Sequence, residues 1–426
     1  MCSSSRAGTT TVIIGASVPG SVRRVADLLT VEDALERVLS HARALPAEDV
    51  PLGRSAGMII AAAAQAAVDL PPFSSSAMDG FALRAADTPG TLRVELRIAA
   101  GRPATRPLVA GEAMGIATGG LVPEGADAVI PLELVRDRAT EVEVERSVPL
   151  GANIREAGGD ARRGETIAEQ GALLAPHRLA ALAATGIATV RCHRRPRVAI
   201  LTTGTELRPP GEVLGPGQIY ESNGVMLESL FQNAGAEVRR LHTAVDTLVA
   251  HRAALADAFA DDVVVTSGGV SVGPHDLVRR VAQELGAEEV FWGVAVRPGK
   301  PLSFAVRGET LVFGLPGNPV SSLVGAILFV LPALRRLQGL FSAEPAFRAG
   351  TSTLPLARNA SRDDFVRARL DRGPDGTASL TPVVGQDSHM IARAAAADVL
   401  VHVPRGDGAI AQGAPVRYLA LASSGA

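Results

Sequence analysis

From Arg197 to Gln338 the chain alternates apolar runs of strand length with amphipathic runs of helix length. Strands are predicted at Val198–Thr202, Glu237–Ala244, Val263–Thr266, Val290–Val296, Leu302–Val306 and Leu311–Gly314. Helices are predicted at Gly224–Asn233, Thr247–Ala260, Asp276–Leu285 and Val320–Gln338, with Gly235 and Gly286 as C-terminal stops. Strands separated by helices must cross over to parallel neighbours, so the stretch reads as a doubly wound, mostly parallel sheet.

The flanks have other rhythms. Thr30 is placed to cap a helix carrying Ala34, Leu35, Val38, Leu39 and Ala42 at helical spacing and ending before Pro46. From Leu70 to Pro149 the pattern becomes short extended runs, Leu92–Ile98, Ala128–Ile130 and Glu141–Ser147, between Gly and Pro. A helix at Pro176–Gly186 follows, so this β-rich module reads as an insertion. Beyond Glu344 the strands Phe365–Leu370, Ser379–Val384, Val399–Val403 and Pro415–Leu421 suggest a β-barrel. The expected fold is multidomain α/β, divided into an N-terminal extension (1–26, disordered or loosely docked), a mixed helical flanking domain in two segments (27–70 and 150–195), an inserted β-rich module (71–149), the α/β domain (196–340) and a C-terminal β-barrel domain (341–426).

Composition narrows the function. The 426 residues carry 42 Lys plus Arg against 44 Asp plus Glu, a net charge of −2, so a main role in neutralising nucleic-acid backbones is not expected. Eleven Phe, two Tyr and one Trp leave little for base-stacking platforms. Cys2 and Cys192 cannot supply a zinc finger, an iron–sulfur ligand set or a disulfide framework, and suit a reducing cytoplasm. The longest apolar runs, Leu323–Leu334 and Ala56–Val68, fall short of the roughly 20 residues that span a bilayer.

In open parallel sheets ligands bind beyond the carboxyl ends of the strands. Three loops there are glycine-rich: Thr202-Thr203-Gly204-Thr205-Glu206, Thr266-Ser267-Gly268-Gly269-Val270-Ser271-Val272-Gly273, and Leu315-Pro316-Gly317-Asn318-Pro319. Glycines let backbone amides approach an anion, and helix N-termini favour phosphate. Glu206, Asp246 and Asp276 lie in or just beyond such loops. Carboxylates beside a phosphate site call for a bridging Mg²⁺.

Two standard phosphate motifs fail. No Gly-x-Gly-x-x-Gly follows a strand, and in Gly293 to Pro301 a proline replaces the hydroxyl residue of a P-loop. Gly269-Val270-Ser271-Val272-Gly273 does have the form of a hydrolase nucleophile elbow, but it stands three residues past its strand, and no oxyanion loop of the His-Gly-Gly-Gly type exists. Local alternatives stand beside the other candidates: Asp79-Gly80 as a hairpin turn, Arg297 to Pro301 as a surface turn, and Asp246 as a helix cap with Thr247 its rival. Cys192-His193 reads as structural.

Taken together, Ser76-Ala77-Met78-Asp79-Gly80-Phe81, Thr118-Gly119 with Val122-Pro123-Glu124-Gly125-Ala126-Asp127, Thr203-Gly204-Thr205-Glu206-Leu207, Ser267 to Gly273, Pro298-Gly299-Lys300-Pro301 and Gly314 to Val320 resemble the molybdopterin molybdenumtransferase family, which includes MoeA and the gephyrin E-domain. The resemblance runs in order from about Leu29 to the C-terminus. It implies Mg²⁺-dependent insertion of molybdate into adenylated molybdopterin with release of AMP, in a cytoplasmic homodimer whose site lies between the molybdopterin-binding domain of one subunit and the β module of the other. It also implies transient contact with a molybdopterin adenylyltransferase and with molybdoenzyme maturation proteins, and neither nucleic acid nor membrane as a partner. By position Asp79, Thr118, Asp160, Glu206, Asp246, Asp276, Lys300, Pro316 and Pro319 match functional positions of the family. Glu206, Asp246 and Asp276 are expected to hold metal and pyrophosphate, and Lys300 the oxyanion. Thr203, Gly204, Ser267, Gly268, Gly269, Ser271, Gly273, Arg297, Pro298, Gly299, Gly317 and Asn318 are expected to line the ligand with Pro316 and Pro319.

The chain departs from the family at Ser74-Ser75, where Asp-Asn is common, and at Phe81 (for Tyr), Thr205 (Asp), Gly120-Leu121 (Ala-Pro), Gly159 (Glu) and Arg297 (Lys). Two other readings are an adenylyltransferase-like activity, which lacks a use for Leu29–Pro149 and the tail, and a non-catalytic scaffold of gephyrin type. Lys300 is the one lysine among 42 basic residues. Where arginine is the default, a retained lysine marks a place that needs a compact ammonium.

Overall fold

The computed structural model describes residues 28–243, 247–269 and 277–421. The chain forms two compact units, residues 28–43, 196–336 and 343–421 in one, and residues 44–195 and 337–342 in the other.

The first unit begins with α1 (Val31–His41), capped by Thr30 Oγ1, which accepts from Asp33 N at 2.9 Å. This helix belongs with the α/β unit, although the sequence reading groups it with the flanking domain at 27–70. Ala295 N donates to Leu29 O at 2.8 Å, and the His41 ring meets Phe304 edge-on at 5.8 Å. The central sheet comprises β1 (Arg197–Thr203), β2 (Glu237–Thr243), β3 (Val263–Ser267), β4 (Glu288–Trp292), β5 (Ser303–Arg307) and β6 (Thr310–Leu315). Its order is β2-β1-β3-β6-β5-β4, with β2, β1, β3 and β6 parallel and the β5–β6 and β4–β5 pairs antiparallel. The expected strand Val290–Val296 is split at Gly293. There φ is +87°, and an added Cβ would sit 2.6 Å from Leu28 Cδ2, so the chain turns and Val296–Arg297 pairs elsewhere.

Helices α2 (Asn223–Asn233), α3 (Leu248–Ala258) and α4 (Leu277–Glu284) cover the sheet. Ala199, Leu201, Leu255, Val264, Val281 and Val312 form one buried cluster on it. Thr247 caps α3, accepting from Ala250 N at 3.3 Å, which decides between the two cap candidates. α5 (Pro319–Leu337) has 19 residues and a mean hydropathy of 1.7, longer than the apolar run read from the sequence. Its length and composition would suit a membrane span, but 78% of its apolar window is buried within the fold, as in the core helix of a globular protein. Its turn Ala326–Val330 is π-helical just ahead of Pro332, whose missing N–H interrupts the regular ladder.

The barrel strands are β7 (Arg348–Ser352), β8 (Asp363–Arg372), β9 (Ala378–Pro382), β10 (Val399–Val403) and β11 (Pro415–Ala420). Pairing runs β8-β9-β7-β11-β10 and back to β8, a closed five-stranded barrel around Ala368, Leu380, Val399, Val401 and Tyr418. Val296–Arg297 joins it beside β8.

In the second unit a six-stranded sheet runs Ala128–Pro131, Gly80–Leu83, Glu112–Ile116, Gly90–Ile98, Glu141–Val144, Arg136–Asp137. The hairpin-turn alternative at Asp79-Gly80 is overturned. Gly80 starts a fully buried inner strand and lies so close to its neighbour that an added Cβ would be 2.0 Å from Ile130 O. Ala47–Pro51 pairs with Thr189–His193, and the helix Pro176–Ala184 packs in the same unit. Cys192 sits in this core, where burial pushes its thiol up to about 11. His193 Nδ1 lies 2.7 Å from Leu45 O, a structural contact.

Candidate active site

The carboxyl ends of β1, β3 and β6 open into a cleft of about 530 Å³. Its walls include Thr203, Gly204, Glu206, Ser267, Gly268 and Gly269, with Gly317, Asn318 and Pro319 opposite. Gly268 has φ +94°, and a Cβ there would lie 2.8 Å from Thr203 O, so the β1 and β3 loops touch through bare backbone. Glu206 is exposed, and its carboxylate lies over Gly204, whose added Cβ would meet Oε1 at 2.6 Å. Asp246, Ser271, Gly273 and Asp276 lie outside the described residues.

Side chains absent from the sequence reading hold these loops together. Asn223 Nδ2 donates to Ser267 Oγ at 2.8 Å and to Gly317 O at 2.8 Å. The carbonyl of Gly317 only accepts, so the amide orientation is fixed. Ser322 Oγ donates to Pro316 O at 2.7 Å and stands 3.0 Å from Ser267 Oγ. Glu221 also borders the cleft, but its carboxylate accepts from Gly224 N at 2.6 Å and so caps α2.

A second cavity, of about 410 Å³, lies in the same unit between the Arg297–Pro301 segment, the start of α5 and the barrel. Lys300, Arg297 and Arg362 bring three cations to it; Asp364 and Asp387 bring two carboxylates. Arg297 is hydrogen-bonded to Asp364. Lys300 is half-buried. Arg297 to Pro301 lines this cavity, with a turn at Pro298-Gly299, an exposed Arg297 and a buried Gly299. Asn318 borders both cavities, so the loop Pro316–Pro319 is their shared wall.

Asp79 and Thr118 meet in the second unit. Thr118 N donates to Asp79 Oδ1 at 2.6 Å, and this bond holds the exposed carboxyl below its ordinary value of 3.8. Asp160 is also exposed there, its N donating to Leu70 O at 2.9 Å.

Among the described residues no group of three or more His, Cys, Asp or Glu is placed to hold a metal. Glu206 is the one expected metal carboxylate that is described, an exposed oxygen donor on a phosphate-type cleft. Mg²⁺ commonly rests on one or two carboxylates with substrate phosphates and water, so this donor set fits the ion.

Glycine-rich loops at parallel strand ends, where ligands of open α/β sheets bind, beside a pocket bordered by three cations and two carboxylates, define a small-molecule-binding α/β protein. The comparisons narrow that class. Residues 29–186 match the MoeA N-terminal region (domains I and II), 199–336 a probable molybdopterin binding domain, and 349–421 the MoeA C-terminal region (domain IV). The chain is 35% identical over 389 residues to molybdopterin molybdenumtransferase 2 of Mycobacterium tuberculosis, covering 88% of this chain and 95% of that one. It is 36% identical over 374 residues to molybdopterin molybdenumtransferase of Haemophilus influenzae, covering 85% and 91%. Among solved structures, the molybdopterin biosynthesis MoeA protein from Pyrococcus horikosii is similar with a TM-score of 0.79 and 31% identity, over 93% of this chain and 100% of that one. The chain belongs to the MoeA family of molybdopterin molybdenumtransferases, and its multidomain fold is MoeA-like.

Proposed function

We propose that this chain is a molybdopterin molybdenumtransferase of molybdenum cofactor synthesis, binding adenylated molybdopterin and molybdate, releasing AMP and leaving molybdenum on the dithiolene. The observation that carries the reading is the pair of cavities sharing Asn318, a phosphate-type cleft on one side and a cationic pocket on the other. Amides of the Thr203–Gly204 and Ser267–Gly269 loops, with Ser271 and Gly273, bind the phosphates, and Asn223 fixes the loop spacing. Lys300 and Arg362 bind the oxyanion, while Arg297 is held by Asp364. Glu206, Asp246 and Asp276 would hold Mg²⁺, which when bound supplies charge neutralisation at the pyrophosphate.

Further parts of the proposal are a cytoplasmic homodimer, in which Asp79 and Thr118 of a second copy complete the site, and the division into a molybdopterin-binding domain, an inserted β module, a flanking domain and a barrel. Matches to both the N-terminal and C-terminal MoeA regions favour the transferase over a stand-alone adenylyltransferase. The test supplies purified protein with adenylated molybdopterin, molybdate and Mg²⁺ and measures AMP and incorporated molybdenum. No AMP from the wild type, or equal AMP from Asp276→Ala, overturns the reading; the former outcome is what a scaffold would give.

A further inference from the structure

Ser322, near the start of α5, is 0% exposed and is not among the residues lining either cavity. What it holds is the wall between them. Its hydroxyl has one proton, and the 2.7 Å bond to Pro316 O takes it. The 3.0 Å contact with Ser267 Oγ is then donated by Ser267, whose own contact with Pro316 O is long at 3.4 Å. Ser267 Oγ in turn accepts from Asn223 Nδ2, which also donates to Gly317 O. The result is a one-way buried chain from Asn223 through Ser267 and Ser322 to the Pro316 carbonyl.

The residues after Pro316 carry the wall outward. Pro316 is buried, whereas Gly317 and Asn318 are exposed, Gly317 lining the cleft and Asn318 both cavities. A ligand in either cavity therefore meets the same short loop. Were that loop loose, the first ligand would bear the cost of ordering it and the second would not, so the two would bind cooperatively. The buried chain removes this dependence by ordering the loop before either ligand arrives.

We propose that Ser322 is a positioning residue that preorders the wall at 316–318, so that the cleft and the cationic cavity bind their ligands independently. This rests on the reading that the cleft takes the adenylate and the cationic cavity the oxyanion. Ser322 touches neither ligand and acts through the Pro316 carbonyl and Ser267. Ordering leaves its own signature. Loss of a contact to one ligand weakens that ligand alone, and a loss of stability by itself leaves the affinities of the folded chain unaltered. A loosened shared wall weakens both ligands and lets each restore the other.

Calorimetry on the full chain measures AMP and molybdate, each alone and each with the other saturating, and the wild type sets the baseline for both conditions. Ser322→Ala removes the donor to Pro316 O and the acceptor for Ser267. If the wall is then ordered about one-tenth of the time, AMP alone and molybdate alone each bind about tenfold more weakly, and saturating one restores the other to within about twofold of the wild type in the same condition. Equal affinities in variant and wild type, a loss confined to one ligand, or a loss of both that the second ligand does not restore overturns the proposal. Should Ser322→Ala fail to fold, Ser322→Cys, which keeps the shape and weakens the hydrogen bonds, is read in the same way with a smaller loss. A wild type that does not bind both AMP and molybdate removes the assignment of the two cavities and this inference with it, whereas wild-type binding of both with an unaffected Ser322→Ala removes only the inference.

Discussion

Asn318 Nδ2 donates to Ser388 Oγ at 2.9 Å, joining the loop ahead of α5 to the barrel across 70 residues of sequence. Asn318 is the N-cap residue of α5, yet its side chain makes no cap bond. Ser388 O instead accepts from Val320 N at 3.1 Å, so the barrel satisfies an amide that an N-cap side chain ordinarily serves. Asn318→Ala is expected to cost about 0.5–1.5 kcal/mol in urea unfolding and to weaken ligands of both cavities. An effect on one cavity alone would contradict the shared wall.

Asn223 ties two strand-end loops together through one amide. Asn223→Asp keeps the shape but sets a carboxylate against Gly317 O, so repulsion replaces a hydrogen bond. The variant is expected to lose about 1–3 kcal/mol of stability and, through the displaced loop, at least about tenfold in affinity for AMP, read by thermal unfolding and by titration. Wild-type affinity would show that the loop spacing does not depend on this residue.

Asp79 and Thr118 give a pH signature. The Asp79 carboxyl is lowered in the folded chain, so its contribution is present above the ordinary value of 3.8 and is lost as pH falls through the lower folded value. The Thr118 amide resonance should therefore titrate with a midpoint below 3.8. In Asp79→Ala that titration should disappear while the sheet stays folded, because Asp79 is exposed ahead of the buried strand.

The barrel has an acid of its own in Asp363. His402 Nε2 stands 3.2 Å from its Oδ2, and Arg405 N donates to Oδ1 at 2.8 Å. Burial raises its pKa, but these two bonds and the nearby positive charge outweigh it and the net shift is downward. Stability from Asp363 is thus present above the ordinary aspartate value and falls away in acid below it. Asp363→Ala strands two polar partners in a buried wall and is expected to cost about 2–4 kcal/mol, seen as a lower urea midpoint.

Much of this was legible along the chain because its signals are local. Strand and helix periods gave the α/β order, Gly235 and Gly286 do end α2 and α4 at φ +86° and +89°, and the glycine loops fall at strand ends. At Asp79-Gly80 the local turn signal, one of two alternatives, is overruled because the glycine is needed for close approach inside a sheet. β7 was missed because Arg-Ala-Gly-Thr-Ser has almost no apolar alternation and is held by its neighbours. Asn223, Ser322, Arg362, Asp364 and Ser388 carried no motif. Their roles depend on which loops the barrel and sheet bring together, information that no short window of sequence contains.

Lys300 was legible by contrast with its background. In a chain that otherwise uses arginine, its ammonium borders a cavity where Arg297 is already tied to Asp364. A guanidinium at position 300 would be longer and planar, and would need more room in this half-buried wall than a compact ammonium. Lys300→Arg is therefore expected to fold as the wild type, with thermal unfolding changed by no more than about 0.5 kcal/mol, and to bind molybdate about ten- to a hundredfold more weakly. Adenosine nucleotide binding in the neighbouring cleft should be unchanged, since Lys300 borders the cationic cavity and is not among the residues that line the cleft. Molybdate affinity equal to the wild type would show that charge alone, not the shape of the cation, is what this pocket requires.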